Sequence, residues 1–333
     1  MTVAELQQTL ARVPEPEPAP IDDELIAGSV RYLDSDAAAR SLDADTYWPK
    51  WDSPWWHMLL LHELGEARRI PARIVALMIE RVNALPLHIF PIQPEDSPPG
   101  TDPYRDSSCH CALGCLHQVL TACGVDVAAA LPWIEPWFAR YQMADGGASC
   151  DDTAYLSGEC ASSMVATIAP LEAMLARPPG DFLDRAAGFL ALRQLTNGSP
   201  SRHNAAEREA APKWLLPCFP RFYFYDVLRG LAALVRWAEL RDRPLPLAAV
   251  AGAASHLAAA FPDGVVRPQR RGYAGTRTMA RVDGAWVRGQ PASVFPLLDA
   301  TSAIGLPAPA LTRQWSEARA GLLRLAAAGR LTD

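Results

Sequence analysis

Several things are scarce in this 333-residue chain, and each scarcity narrows what it does. Long apolar runs are absent: nothing approaches the ~18 uninterrupted apolar residues that a membrane-spanning helix needs. The opening stretch, MTVAELQQTLARVPEPEPAP, has neither the basic start nor the apolar middle of a signal peptide, so a cytoplasmic location is expected. Positive charge is not in excess. A formal net charge of -6 with the signs interspersed offers no basic field for phosphates, which argues against a nucleic-acid partner. The common catalytic signatures are missing as well: there is no Walker loop, no G-x-G-x-x-G after a strand and no G-x-S-x-G elbow. HELGEARR from His62 has only the first two residues of H-E-x-x-H.

Half of the residues are apolar, enough for a substantial core. Apolar runs of helical length alternate with proline-rich polar connections, and none shows sustained period-two alternation, so the fold class is all-α. Residues 2–13 read as a short helix. PEPEPAP (Pro14–Pro20) cannot continue it, because each proline removes a donor and clashes with the preceding turn. Residues 1–28 are therefore expected to form an N-terminal helix and arm, and residues 29–333 a single domain.

A repeat runs through that domain. SPWWHMLLLHELG from Ser53, SSCHCALGCLHQVLTACG from Ser107, ECASSMVATIAPLEAML from Glu159, RFYFYDVLRGLAALVRWAEL from Arg221 and PASVFPLLDATSAIG from Pro291 share one plan. In each, a small or aromatic polar cluster leads into an apolar helix. The starts lie 54, 52, 62 and 70 residues apart, and each interval holds a second helical segment, such as IPARIVALMIERVNAL after Ile70. Helix pairs at that period suggest helical hairpins packed side by side.

PWFARYQMADGGAS (Pro136–Ser149) resembles the Q-x-x-D-G-G-W turn of the squalene cyclase and protein prenyltransferase superfamily, with Ala148 where Trp is usual. FPRFYFYDVLRGLAAL from Phe219 is similar to that superfamily's Y-D-x-L-x-x-L helix start, and FPDG at Phe261 adds to the resemblance, which spans roughly residues 50–305 by repeat plan. The resemblance implies an alpha/alpha toroid of about five to six hairpins. Its inner helices would ring a central cavity that takes a largely apolar, isoprenoid-like small molecule, and their N-terminal ends would gather at one mouth.

That gathering would bring Trp55, Trp56, His57 and Tyr223 to a substrate pocket, and Tyr225 and Asp226 to a catalytic position. Seven cysteines without a secretory signal point to reduced thiols or metal ligands rather than disulfides. Cys109, His110 and Cys111 carry zinc-ligating atoms, but three consecutive helical residues point in different directions, so at most two bind one ion. Cys150, Asp151 and Cys160 would complete the set, with zinc expected and iron as the other candidate. Prenyltransferases resemble this plan, although here the order of the two helix starts is reversed and Glu159 is adjacent to Cys160. Cys115 and Cys123 read as core. CDD (Cys150–Asp152) also resembles part of the D-x-D-D acid motif of class II terpene cyclases, which makes Asp151 and Asp152 candidate acids. Either aspartate serves equally as a helix cap. RRGYAGTRTMAR (Arg270–Arg281) reads as an exposed basic loop.

Overall fold

The computed structural model describes residues 1–17, 20–178 and 180–332. Five helices form its centre: Pro54–Leu64, His110–Ala122, Met164–Met174, Val227–Arg241 and Pro309–Ala327. Each packs on the next, and the last packs back on the first, so the ring closes. The remaining long helices stand outside it. Asp36–Ala44 packs against Ala72–Asn83, Asp181–Leu192 bridges the Met164 and Val227 helices, and Leu247–Ala260 covers the Val227 helix. Val3–Ala11 lies across the Leu247 and Pro309 helices, and Asp23–Leu33, which runs through residue 28, packs on the Pro54 helix. Among the described residues the architecture is an all-α alpha/alpha toroid with five inner helices.

Sequence separates the two layers. Pro54–Leu64 and Met164–Met174 are apolar around nearly their whole circumference and buried accordingly, as inner helices must be. Ala72–Asn83 instead buries one stripe, Ile74, Val75, Met78 and Val82, and turns its charges outward. Start signals are equally local. Pro54 occupies the first turn of its helix, Ser163 accepts a hydrogen bond from Ala166 N–H, and Asp226 accepts one from Arg229 N–H.

The Q-x-x-D-G-G turn joins an outer helix to the inner layer. Gln142 Nε2 donates to the carbonyls of Gly146 (2.8 Å) and Phe182 (2.9 Å). Gly146 has φ of +90°, and a Cβ there would lie 2.3 Å from the Arg185 carbonyl oxygen; one on Gly147 would lie 2.6 Å from Ser162 Cβ. Asp145 accepts from Gly147 N–H (3.1 Å) and from the Ser162 hydroxyl (2.6 Å). The turn thus clamps the segment that leads into the Met164 helix.

Three expectations change. The segment from Pro291 yields only a short helix, Pro296–Thr301, packed on Asp23–Leu33; the ring is closed by Pro309–Ala327. The basic stretch is not wholly a loop: Arg277–Val282 pairs antiparallel with Ala285–Pro291 around Asp283 and Gly284. The ring's interior is also not an apolar chamber. Its pocket, about 240 Å³, is lined from all five inner helices by polar groups including Glu63, Gln118, Glu172, Arg229 and Gln314. Arg229 is bonded there to Glu172 at 2.6 Å and to the carbonyls of Phe222 and Phe224.

Candidate active site

A larger cavity, about 620 Å³, opens where the His110 helix begins. Tyr47, Trp48, Phe90 and Tyr104 give it a mostly apolar wall, Lys50, Arg105 and Arg288 add cations, and Cys109, Cys150, Asp151 and Asp152 line one side. Arg105 is fixed by Asp45 (3.1 Å) and lies over the Trp286 ring at 4.6 Å. Arg288 lies over Tyr104 at 4.3 Å.

At this wall the sulfurs of Cys109, Cys111 and Cys150 lie within 4.8 Å of one another, and those of Cys109 and Cys111 are 3.2 Å apart. Cys109 is the N-cap residue of the His110 helix, and Cys111 sits in its first turn. Cys150 arrives on the loop that follows the D-G-G turn. The thiols of Cys111 and Cys150 donate to the Cys109 sulfur, and the Ala112 N–H adds to this, so Cys109 is held well below the ordinary thiol range. The same bonds, together with burial, push Cys111 and Cys150 up.

His110 and Cys160 do not join the trio. The His110 ring sits among Phe90, Trp137, Tyr141 and Tyr155, with Nε2 3.4 Å from the Tyr155 hydroxyl, and burial lowers its pKa to about 4. The extended backbone of Cys109, the N-cap residue, lets its sulfur meet that of Cys111 in the first turn, while His110 between them points into the aromatic cluster. Cys160 is partly exposed in the loop before the Met164 helix. Its neighbour Glu159 accepts from the Ser201 hydroxyl (2.8 Å) and from Arg202 N–H (2.9 Å).

Asp151 and Asp152 are exposed and both accept from Thr153 N–H, and Asp151 caps the short turn Asp152–Tyr155. Asp226 is fully buried, but at the root of the Val227 helix, where it accepts from Arg221 Nε at 3.0 Å; the side chain of Arg229, one turn later, binds Glu172. Tyr225 is also buried and donates to the Leu195 carbonyl. Neither lines the cavity.

The expected pocket aromatics separate in the same way. Tyr223 and Trp56 stand behind the cavity wall: Tyr223 Oη is 3.0 Å from Lys50 Nζ, and Trp56 Nε1 donates to the Tyr47 carbonyl. His57 faces the outer layer, bonded to Ser29 and stacked on Phe295. Trp55 is buried beside Met78 and Val82. Sequence reasoning missed Tyr47, Trp48, Lys50 and Arg105, which lie before the repeated helix starts. The dense aromatic run TYWPKWDSPWW was the available signal.

Fold and site together define a class: an alpha/alpha toroid with a trio of clustered thiols, two of them lining an aromatic cavity where the His110 inner helix begins. No protein-family model and no curated protein matches the chain. One solved structure is similar over 98% of this chain and 99% of its own, at 12% identity and a TM-score of 0.28: the type II terpene cyclase MstE from Scytonema, in complex with geranylgeranyl dihydroxybenzoate. A score that low assigns no residue of one chain to a residue of the other.

Proposed function

We propose that the protein is a metal-dependent enzyme that acts on a largely apolar, isoprenoid-like small molecule in the cavity beside Cys109. The convergence of three cysteine sulfurs, those of Cys109 and Cys150 at the cavity and that of Cys111 beside them, carries the reading. Zinc bound to sulfur at ~2.3 Å spaces its ligands by about 3.7 Å, within the span of this trio, and three protein ligands leave a fourth position open. Cys109, Cys111 and Cys150 would hold the ion, which when bound supplies Lewis acidity or an activated thiol or water. Tyr47, Trp48, Phe90 and Tyr104 would bind the apolar body of the substrate and exclude water. Arg105, fixed by Asp45 and Trp286, would orient a polar end.

A second reading rests on Asp151 and Asp152 lining the same cavity: a metal-free cyclisation in which one of them is the acid. Their exposure weighs against it, because a carboxylic acid that must deliver a proton near neutral pH depends on a desolvated setting. Product analysis with isoprenoid alcohols and diphosphates, with and without chelator, tests both. Loss of turnover in Cys150→Ser and on chelation supports the metal reading. Loss confined to Asp151→Asn or Asp152→Asn moves the chemistry to the carboxylates, and binding without turnover in any form makes the toroid a ligand carrier.

A further inference from the structure

Lysine is nearly absent from this chain. Of 31 basic residues only Lys50 and Lys213 are lysines. Where the fold needs a fixed cation it uses arginine, as in the Arg229–Glu172, Arg221–Asp226 and Arg241–Asp184 pairs. Lys213 is exposed, but Lys50 lines the aromatic cavity. Its Nζ lies 5.1–5.4 Å from the ring centroids of Tyr47, Trp48, Trp51 and Tyr223 and 3.0 Å from the Tyr223 hydroxyl. Among the described residues, none of the ion pairs includes it.

A guanidinium keeps its proton, whereas a lysine amine surrenders one and becomes a nucleophile. Burial pushes Lys50 down from its ordinary value, opposed by the negative charge of the nearby cysteine cluster. The four rings that stabilise an ammonium stabilise an iminium at the same nitrogen equally well. Tyr223, kept protonated chiefly by burial, offers a hydroxyl within bonding distance of that nitrogen.

We propose that Lys50 is a covalent attachment point for a carbonyl compound: its Nζ forms an imine with the aldehyde or ketone group of a largely apolar molecule held in the cavity. The neutral amine adds to the carbonyl carbon to give a carbinolamine. The carbonyl oxygen then leaves as water with the two hydrogens first carried by the nitrogen, the C=N bond forms, and a proton from solvent converts it to the iminium. Tyr223 donates to the departing oxygen and recovers its proton from the nitrogen. No oxidant or reductant is needed. The inference shares its cavity with the proposed function but uses none of its metal chemistry.

The test is reductive trapping of the full chain with decanal and cyanoborohydride at neutral pH, read by intact mass and tryptic mapping. The expected result is one decyl group on Lys50, seen as a blocked cleavage before Trp51 and formed before any modification of Lys213. Lys50→Arg loses that adduct while keeping whatever metal the native protein holds, so this inference and the metal reading fail independently. Decylation confined to Lys213 and the N-terminal amine of the native protein would overturn the proposal without reference to any variant.

Discussion

At Gly114 the His110 and Met164 helices come into close contact. A Cβ built there lies 2.4 Å from both the Ala169 carbonyl carbon and Pro170 N, and 2.7 Å from Pro170 Cδ. Two of these atoms are backbone, so no rotamer change relieves the contact, and Gly114→Ala must drive the His110 and Met164 helices about 1 Å apart. Overpacking of a core costs about 1–3 kcal/mol, and a gap of that size forfeits roughly a quarter to a half of the dispersion attraction across the seam. Alanine returns about 1 kcal/mol through helix propensity. Gln118, whose Nε2 donates to the carbonyls of Gly114 and Ala169, is stretched by the same movement. The expected net loss is about 2 kcal/mol, measured as a lower urea midpoint with an unchanged slope. Equal or greater stability in Gly114→Ala would show that the two helices do not meet as described.

Other consequences follow from the ring's polar interior. Glu172→Ala leaves the buried Arg229 guanidinium without its carboxylate and is expected to cost about 3–5 kcal/mol in urea unfolding, more than Glu239→Ala on the exposed Arg324 pair, where about 0–1 kcal/mol is expected. Burial raises Glu63 to about 7, against the partial compensation of Arg221 and Phe222 N–H groups. Because its folded value is the higher one, the native state binds the extra proton between the ordinary value of 4.5 and about 7. This contribution to stability is complete below 4.5 and is lost as pH rises through 7, so Glu63→Gln should gain on the native protein in denaturation midpoint as pH is taken from 5 to 8. A constant difference between the two proteins across that range would refute the assignment.

The inner layer was readable from sequence wherever its signals are local. The helices that begin at Pro54, His110 and Met164 carry apolar residues around most of their circumference, the Val227 helix is marked instead by the aromatic run and Asp226 cap that precede it, and the D-G-G turn marks the approach to the Met164 helix. The fifth member was not readable. Pro309–Ala327 carries Arg313, Glu317, Arg319 and Arg324 along an amphipathic helix, so its pattern is that of an outer helix, and only closure of the ring gives it an inner place. The hairpin at Asp283 and Gly284 did carry a turn signal that the surrounding arginines obscured. In the site, the cluster CHC was visible, but which of its three side chains converge with Cys150 depends on where the loop after Gly147 returns. Lys50 lay outside the repeat altogether.

Metal content tests the central claim most directly. Protein purified without an affinity tag, alongside a Cys109→Ser, Cys111→Ser, Cys150→Ser variant, should be taken to elemental analysis. One equivalent of zinc per chain is expected in the native protein and none in the variant, with His110→Ala and Cys160→Ser retaining it. Native protein that holds no metal even after incubation with zinc, or a triple variant that holds as much as the native chain, would contradict a metal site at these sulfurs.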